Sequence, residues 1–569
     1  ILLTSILLLR ADASDIIKAD GYTTCAKSSI ITVSDFSLSI DRRNQSLTFA
    51  VAGSATTKTP ILAELKIEAY GVTATRYSFN PCEYKIQQLC PMQAGPFKEK
   101  GTVHIPDEVM SKIPSAAWLV PDLQGLAQLS LHAQDGQEVA CLQAKISNTE
   151  TTRNSGARVA TAGIALTALA LSGVASLTGA GGAAASGAAG SAAGAPSFMA
   201  VLNFFMDVSW SGALSVDTPG VYVAFTQNFA WSNGFVVVAG MQRAIDRFRG
   251  ETGGNINKSS YDILMRQNLI RGSELHKREE ASKVVNGIQA YVEEIRVPSE
   301  NTFMTMFIIF MSVLGALLAG CFLAKGVLEL WSKGRKLPKV LETFRLNFWT
   351  ETAGLLVRSI LIIYGTWTLL CLYQFKNGDS WAATILAGAS LTIFTAILLF
   401  FTIQVTRIAQ HAKKLGLGAS RLYEDKPSLQ KYGFLYDQFR KEFWWFFVPC
   451  ILYSVAKAMF IALGDGHGLV QVIGQLACEV LMIVFLFATR AYDGKKANVV
   501  NVSISVVRIL TLVGTLIFVD VLGIADTTKS VASVVMIALQ SILTAVLAVL
   551  LIYNAILPWI KQKKLKKNR

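Results

Sequence analysis

Several polar and charged residues lie inside long apolar segments of the sequence, where such groups are energetically costly and therefore suggest a function. In the segment 469–489, two glutamines and a glutamate recur every four residues, so they share one face of a helix. Oxygen-bearing side chains in such a row are suitable ligands for a hard cation, and they predict a path for cations. Three basic residues in other segments and one aspartate near the end of a segment complete the set. The transport candidates are Arg358, Lys457, Gln471, Gln475, Glu479, Arg508 and Asp520.

The cationic candidates leave a second interpretation open. Counting along the segments places Glu479 and Arg508 at depths that allow them to pair, and Lys457 is within reach of Glu479 or of the membrane surface. Such neutralisation would favour an anionic substrate over a cation. A purely structural ion pair between helices accounts for the same residues equally well.

Other residues with catalytic potential are sparse. The five histidines are scattered, and the sequence has no H-E-x-x-H, G-x-S-x-G, Walker or C-x-x-C motif. The Gly/Ala/Ser stretch at 179–195 neither follows a strand nor leads into a Lys-Ser/Thr pair, so it predicts a linker and not a phosphate-binding loop. We therefore expect neither an enzyme nor a metal site, and no required cofactor.

The eight cysteines divide into two groups of four. One group lies in the apolar segments, where thiols behave as small hydrophobic side chains. The other group lies in the N-terminal region, and an oxidising compartment would favour two disulfides there, with three possible connectivities. We predict a Cys82–Cys90 bridge, which closes a short loop, and a Cys25–Cys141 bridge, which joins the two ends of the domain.

The beginning of the sequence resembles a targeting segment. An apolar run followed by an A-D-A motif at 11–13 predicts the end of a signal peptide, so that 1–13 is its remnant. This places residues 14–156 in the lumen or outside the cell. Sequons at Asn44 and Asn257 are then predicted glycosylation sites.

Residues 14–156 have the pattern of a β-sandwich. Polar and apolar residues alternate over 62–70, and shorter alternating runs separated by turn residues extend from 30 to 146. The inward-facing residues either form an ordinary packed core or line a ligand cavity. The candidate cavity residues are Phe36, Leu38, Phe49, Leu65, Ile67 and Trp118.

The rest of the chain predicts a polytopic membrane domain. Of all residues 52% are apolar and only 16% charged, which excludes a disordered chain and a single soluble enzyme domain. An apolar run at 159–177 is the first predicted span, and seven more lie between residues 303 and 559. The stretches 198–216 and 221–240 also contain polar residues, including Asn203 and Asp207, and we expect only one of them to cross. These segments predict about nine transmembrane helices.

The distribution of charge predicts the orientation. The connections 333–351, 407–442 and 490–498 and the tail 561–569 are basic, and they alternate with nearly neutral connections. Positive charge favours the cytoplasmic side, so the C-terminus is expected there, with the N-terminal domain and the helical segment 248–300 on the other side. The net charge of +14 is thus attributed to topology and to contact with membrane lipids, and no nucleic-acid partner is expected.

Particular stretches of the sequence resemble a known family. They are I-P-S-A-A-W-L-V-P-D-L-Q-G at 113–125, V-A-C-L-Q-A at 139–144, L-S-V-D-T-P at 214–219 and N-F-A-W-S at 228–232. Together with the order of the parts, they resemble the fungal flavin-carrier proteins over nearly the whole chain. The resemblance implies a lumenal β-sandwich of the ML or MD-2 lipid-recognition type, with a bound sterol or phospholipid, followed by a TRP-like membrane domain over 157–560. It also implies a fungal membrane protein of the endoplasmic reticulum or plasma membrane.

The family is linked both to FAD transport into the endoplasmic reticulum and to calcium-channel activity. We expect a transmembrane transport protein, with a lipid-regulated cation (calcium) pathway first and FAD transport as the alternative. A lipid-sensing or lipid-transfer protein is a third class. Only eight residues, 523–530, join the last two predicted spans, too few for a pore helix and a selectivity loop. We therefore expect a homodimer in place of a fourfold channel, with conduction through one subunit's helices or along another interface.

Overall fold

The fold is described from a computed structural model. The described residues are 15–20, 23–24, 31–56, 61–69, 72–80, 82, 94–105, 107–111, 113, 118, 121–122, 125–133, 138–148, 150–163, 165–166, 198–255, 287–334, 339–415 and 421–567.

The N-terminal domain is an antiparallel β-sheet, with nine strands in the residues described there. Their order in the sheet is β6-β5-β8-β9-β1-β3-β4-β7, and β2 also pairs with β9. The strands are β1 (Ile16–Asp20), β2 (Thr23–Thr24), β3 (Ile31–Asp41), β4 (Ser46–Ala55), β5 (Ile61–Ala69), β6 (Val72–Phe79), β7 (Gly95–His104), β8 (Gly125–Ala133) and β9 (Glu138–Asn148).

The predicted sandwich is in fact one continuous sheet. Strand β1 pairs with β3 on one side and with β9 on the other, so it joins the halves that a sandwich would keep apart. Register shifts that indicate β-bulges occur in the pairings of β3, β5 and β8. Because bulges increase the local twist, they help the sheet to curl around a single apolar core.

The alternation predicted for β5 places its apolar residues in that core. Leu65 and Ile67 are buried, and Glu64 and Lys66 between them are partly exposed. Trp118 is the largest fully buried side chain of this domain among the described residues, and the Arg42 guanidinium lies 5.6 Å from its ring centroid.

The second part of the chain is a helical bundle. A helix over 155–163 follows the β-domain, and Gln227–Asn233 form a 3₁₀-helix. The other described α-helices of seven or more residues are α1 (Phe198–Ser211), α2 (Gly220–Thr226), α3 (Ala239–Glu251), α4 (Ile288–Glu294), α5 (Thr302–Gly334), α6 (Lys339–Leu346), α7 (Phe348–Asn377), α8 (Trp381–Lys414), α9 (Lys426–Tyr436), α10 (Phe447–Leu463), α11 (Gly468–Thr489), α12 (Lys495–Leu516) and α13 (Asp526–Lys567).

Within the described residues, seven helices are long and apolar enough to cross a membrane. They are α5, α7, α8, α10, α11, α12 and α13, and they correspond to the seven spans predicted after residue 303. The connection from α12 to α13 runs over 517–525 and contains only a short 3₁₀ turn, Asp520–Leu522.

Of the nine predicted spans, the seven after residue 303 are confirmed as helices long enough to cross a membrane. Most of the first predicted span, 159–177, lies outside the described residues. The described α1 has only 14 residues, and 221–240 is divided into α2, the 3₁₀-helix and an extended segment. Gly234 ends the 3₁₀-helix with φ at 79°, a left-handed conformation that glycine adopts readily. The stretch 221–240 is therefore not a continuous span.

The bundle has two distinguishable ends. The end that contacts the β-domain contains the helix termini near residues 220, 377, 463 and 520, and we call it the β-domain end. The opposite end contains the connections before α7, before α10 and before α12, and we call it the far end.

Candidate functional site

Two acidic, two basic and one phenolic side chain meet in the middle of the bundle. The ammonium Nζ of Lys457 lies 2.9 Å from Asp207 Oδ1 and 2.9 Å from Glu479 Oε1. Arg508 Nη2 lies 2.5 Å from Asp207 Oδ2, and the Tyr453 hydroxyl donates to Glu479 Oε1. We call these five residues the charge cluster. Its formal charges sum to zero, so each buried charge has an opposite charge beside it.

Four helices position the charge cluster. Asp207 lies on α1, Glu479 on α11 and Arg508 on α12. Tyr453 and Lys457 are four residues apart on α10, so they share one face of that helix. Lys457 is about 9 Å and Glu479 about 16 Å from the β-domain ends of their helices, at 1.5 Å per residue.

Close packing of α10 and α11 brings Lys457 to Glu479. At Gly474, in the first half of α11, an added Cβ would lie 2.2 Å from an atom of the Phe460 ring on α10. A larger residue there would force the Phe460 ring to move. Glycine at this position therefore allows the Phe460 side chain to lie directly against α11.

A cavity of about 170 Å³ adjoins the charge cluster. Asp207, Tyr453, Lys457 and Arg508 line it, whereas Glu479 lies behind them and is fully buried. The remaining polar lining comes from several helices and from the far end of the bundle: Asn203, Thr366, Gln438, Ser454, Tyr492 and Asn501. The cavity thus extends from mid-bundle toward the far end.

Two connections pack together where the cavity approaches the far end. Phe439 and Tyr492 form a β-bridge, and their rings are 5.1 Å apart. The backbone N–H of Arg440 donates to the carbonyl of Ala491 at 2.7 Å. The segments that carry Gln438 and Tyr492 are therefore held to each other beside the cavity.

The predicted polar row on α11 has divided roles. Gln471 accepts a hydrogen bond from Ser215 N at 2.7 Å and donates one to Ile461 O at 2.7 Å, so its amide fastens the loop after α1 to α10. Gln475 is buried, and its Nε2 has no hydrogen-bond partner in the described part of the chain. The row is therefore not a series of free oxygen ligands.

The ion pairs differ from the predicted ones in one respect. Glu479 pairs with Lys457, and Arg508 pairs with Asp207 on α1. Sequence reasoning did not include Asp207 among the candidates, because α1 lay in a segment of uncertain crossing. The available signal was an aspartate in an otherwise apolar helix, which requires a cationic partner when buried.

Two transport candidates lie away from the charge cluster. The Arg358 guanidinium on α7 lies 5.8 Å from the centroid of the Phe434 ring. Asp520 is mostly exposed at the β-domain end and lies 3.9 Å from Lys529. Lys529 is also 2.5 Å from Asp217 and 3.5 Å from Asp526, so these four residues form a separate surface cluster.

The chain leaving the β-domain is bound to the bundle through Thr152 and Asn154. The Asn228 side chain donates to Thr152 O at 3.0 Å and accepts from Asn154 N at 2.9 Å, as a neighbouring strand would. Thr152 Oγ1 donates to Asp122 of the β-domain at 2.6 Å and to Val221 O at 3.0 Å. Burial raises the pKa of Asp122, and the hydrogen bonds from threonine oppose that change.

Arg153 adds a second contact at the same junction. Its Nη1 donates to Gln227 Oε1 at 3.3 Å and to Glu294 O at 3.2 Å. Gln227 in turn donates to Glu294 Oε2 at 2.9 Å. Burial raises the pKa of Glu294, with the Gln227 hydrogen bond and Arg153 acting against it.

The 3₁₀-helix that carries Gln227 and Asn228 also reaches α1. Asn233 Nδ2 donates to Met206 O at 3.2 Å, and Asn233 Oδ1 accepts from Thr366 at 2.9 Å. Met206 directly precedes Asp207. One short helix therefore contacts both the exit of the β-domain and the backbone beside the charge cluster.

The candidate lipid-cavity residues belong mostly to the β-domain core. Leu38, Leu65, Ile67 and Trp118 are buried, and Phe49 is partly buried against them. The side chain of Phe36 lies outside the described part of the structure. A cavity for lipid therefore stays a prediction.

Only one cysteine of each predicted disulfide lies within the described residues. Cys82 and Cys141 are disulfide-bonded, and Cys25 and Cys90 lie outside the described residues, so the pairing stays a prediction. Asn44 is exposed in the turn between β3 and β4, and its Nδ2 donates to Asp41 Oδ2 at 2.7 Å. Asn257 lies outside the described residues. The free cysteines of the described chain are Cys321, Cys371, Cys450 and Cys478.

Comparison with known families agrees with this architecture. A family described as "Transient receptor potential (TRP) ion channel" matches residues 157–569, and an "ML-like domain" matches residues 17–152. The fold and site thus define a membrane protein with an ML-like β-domain and a channel-type helical bundle. The chain belongs to the TRP ion channel family, in the group that carries this ML-like domain, as the sequence resemblance indicated. The group contains proteins named as channels and as carriers, and it is not an enzyme family.

Three relatives show the range of names in this family. The TRP-like ion channel protein flc1 of Cryptococcus neoformans var. grubii is 27% identical over 95% of this chain and 76% of its own length. The TRP-like ion channel pkd2 of Schizosaccharomyces pombe is 24% identical over 92% of this chain and 76% of its own length. Flavin carrier protein 2 of Saccharomyces cerevisiae is 25% identical over 92% of this chain and 71% of its own length.

Proposed function

We propose that the protein conducts cations, with calcium as the physiological ion, through the helical bundle of a single chain. The observation that carries this proposal is the cavity beside the charge cluster. It lies in the middle of the bundle, and carboxylate, amide and hydroxyl oxygens line it. Oxygen atoms are the ligands that hard cations such as Ca²⁺ prefer. Two relatives are named TRP-like ion channels, which supports ion conduction as the general activity.

The size of the cavity favours a small hydrated ion over FAD. Its volume of about 170 Å³ holds on the order of five waters, at roughly 30 Å³ each. Pockets for drug-sized ligands occupy about 300–1,000 Å³, and FAD is larger than most drugs. A carrier for FAD would need a much larger opening between the helices. FAD transport is the second candidate, because one relative is named a flavin carrier, and lipid transfer is the third.

The short connection between α12 and α13 supports a path inside one chain. Residues 517–525 provide a single 3₁₀ turn, whereas a central fourfold filter is built from a pore helix and a loop at this position in TRP channels. A homodimer, the commonest symmetric arrangement, would leave each path intact.

The orientation follows from charge. The basic connections before α7, α10 and α12 all belong to the far end of the bundle, so we place the far end in the cytoplasm. The β-domain is then lumenal or extracellular, in the endoplasmic reticulum or plasma membrane. There it would bind a sterol or phospholipid and regulate the bundle through the junction at Thr152 and Asn154.

Flux through the purified protein in liposomes tests the proposal, with calcium and FAD measured side by side. Asp207→Asn leaves Arg508 without its carboxylate partner and gives the charge cluster a net positive charge beside the cavity, so we expect calcium flux to fall at least tenfold. Asp520→Asn, the same change at an exposed position outside the cavity, should leave the flux unchanged. Added sterol or phospholipid should alter the flux of the intact chain.

Three results would contradict the proposal. FAD uptake without calcium flux would assign the protein as a carrier. Lipid transfer between vesicles without either activity would assign the third class. Equal calcium flux in Asp207→Asn and Asp520→Asn would place the path elsewhere.

A further inference from the structure

The ammonium of Lys457 is surrounded by oxygen atoms in a way that resembles a bound metal ion. Three oxygens from three helices converge on Nζ: Asp207 Oδ1 at 2.9 Å, Glu479 Oε1 at 2.9 Å and Tyr453 Oη at 3.3 Å. Two of them belong to carboxylates. The lysine side chain itself is almost entirely buried.

The oxygen set has capacity that Lys457 does not use. Glu479 is fully buried, and its Oε2 has no hydrogen-bond partner in the described part of the chain. Arg508 engages Asp207 through Oδ2 and leaves Oδ1 to the ammonium. The Tyr453 hydroxyl donates to Glu479 and accepts from Lys457 at 3.3 Å and from Arg508 at 3.5 Å, so removal of the ammonium frees one lone pair for a cation. Two carboxylates and a hydroxyl are a suitable ligand set for a hard cation.

The position is also accessible from the cavity. Asp207, Tyr453 and Lys457 all contribute to the cavity lining. A cation that enters the cavity therefore meets the same carboxylate that holds the ammonium. Lysine is a compact point charge on a flexible stem, so it fills such a site without the planar geometry of arginine.

We propose that Lys457 is the tethered occupant of a cation site formed by Asp207, Glu479 and Tyr453, and that a metal cation binds there when the ammonium is removed. In the native chain, the tethered charge excludes free cations from this position and limits how tightly the cavity holds a permeating ion. This deepens the proposed function, since the site lies in the wall of the proposed path, but it is tested by binding and not by flux.

Terbium luminescence in the purified full-length chain provides the test. Tb³⁺ resembles Ca²⁺ in its ligands and emits when a nearby tyrosine is excited, and Tyr453 is part of the site. Lys457→Met should gain about one terbium per chain over the wild type, displaced by calcium. Lys457→Arg, which keeps the charge, should gain none. Lys413→Met, which removes an exposed lysine near the end of α8, is the matched control and should also gain none.

Two further variants make the result decisive. Adding Glu479→Gln to Lys457→Met should abolish the terbium signal, because it removes a ligand. Lys457→Gln keeps a hydrogen-bond donor and should bind terbium as the methionine variant does. Calcium should raise the melting temperatures of Lys457→Met and Lys457→Gln and leave that of the wild type unchanged, since a ligand that binds only the folded state stabilises it.

The proposal is overturned if Lys457→Met and Lys457→Gln fold but show no extra bound terbium and no calcium-dependent rise in melting temperature. It is equally overturned if neither variant folds even when calcium is present throughout purification, because a bound cation would replace the lost ammonium. A third outcome separates the two proposals. If Lys457→Met and Lys457→Gln bind terbium but the wild type shows no calcium flux in liposomes, this inference holds and the proposed function is rejected.

Discussion

Lys457 and Lys529 have similarly buried side chains, each 9% exposed, and each lies among carboxylates. The carboxylates around them differ. Those beside Lys457 are 27% and 0% exposed, whereas those beside Lys529 are 37%, 66% and 49% exposed. One cluster is in the middle of the bundle and the other is at its surface, on the β-domain end.

This difference determines what each cluster contributes. Water screens the charges around Lys529, and exposed ion pairs of this kind typically stabilise a protein by about 0–1 kcal/mol. Lys457 and its partners are largely shielded from bulk solvent, so both the desolvation cost and the attraction are large, and removal of one partner leaves an uncompensated charge inside the bundle. The comparison shows that the exposure of the acidic partners, not that of the lysine, distinguishes a mid-bundle site from a surface cluster.

The largest expected effect is on the stability of the chain without its buried ammonium. In EDTA, Lys457→Met should lower the free energy of unfolding by about 3–5 kcal/mol, since the buried Glu479 and the partly buried Asp207 are left with only Arg508 for balance. Lys529→Met should lower it by less than about 1 kcal/mol. Thermal unfolding of the detergent-purified variants measures both. Equal losses would remove the distinction between the two clusters.

A third acidic site extends the comparison to a carboxylate without a close lysine. Asp437 follows α9 at the far end, and its Oδ2 is buried without a hydrogen-bond partner in the described part of the chain. Burial raises its pKa to about 7, and the Arg358 guanidinium only partly opposes that change. The folded chain therefore holds a proton that the unfolded chain releases above pH 4.

Asp437 should accordingly make the stability fall as pH rises from about 4 to 7, by up to about 1.4 kcal/mol per pH unit. The sign follows because the folded state binds more protons than the unfolded state over this range. Asp437→Asn removes the titrating group, so its melting temperature should decline less between pH 5 and pH 7.5 than that of the wild type. Parallel declines in the two proteins would contradict the assignment.

The smallest expected effect is the response to salt. Raising the ionic strength from 0.15 to 1 M shortens the screening length from about 8 to about 3 Å. The stability difference between the wild type and Lys529→Met should then nearly vanish, while the difference for Lys457→Met persists. Unfolding at the two salt concentrations checks this, and a salt-sensitive Lys457 effect would indicate water around the charge cluster.

The sequence predicted features that depend on local pattern. The strand β5 alternates in polarity because one face is buried, and Leu65 and Ile67 lie where the alternation indicated. The seven long helices were predictable because a run of about 20 apolar residues is itself the requirement for crossing a membrane. In both cases the local sequence contains the physical cause.

Features that depend on distant partners were not predictable in the same way. Asp207 is 250 residues from Lys457 in the sequence, so no spacing rule joins them. The stretch 221–240 is as long as a span and contains many apolar residues, yet Gln227 and Asn228 bind the exit of the β-domain and interrupt the helix. The single sheet depends on β1 pairing with both β3 and β9, which alternation alone does not specify.

The 3₁₀-helix Gln227–Asn233 has a mechanical consequence. Asn228 holds the strand-like exit of the β-domain, and Asn233 holds the Met206 carbonyl beside Asp207. These two attachment points are five residues apart, about 10 Å along a helix that rises about 2 Å per residue. A helix this short bends little, so a rigid rotation of it displaces both attachment points together. A rotation of the β-domain about its exit strand would therefore move the backbone at Met206 and Asp207, and with it the carboxylate that lines the cavity.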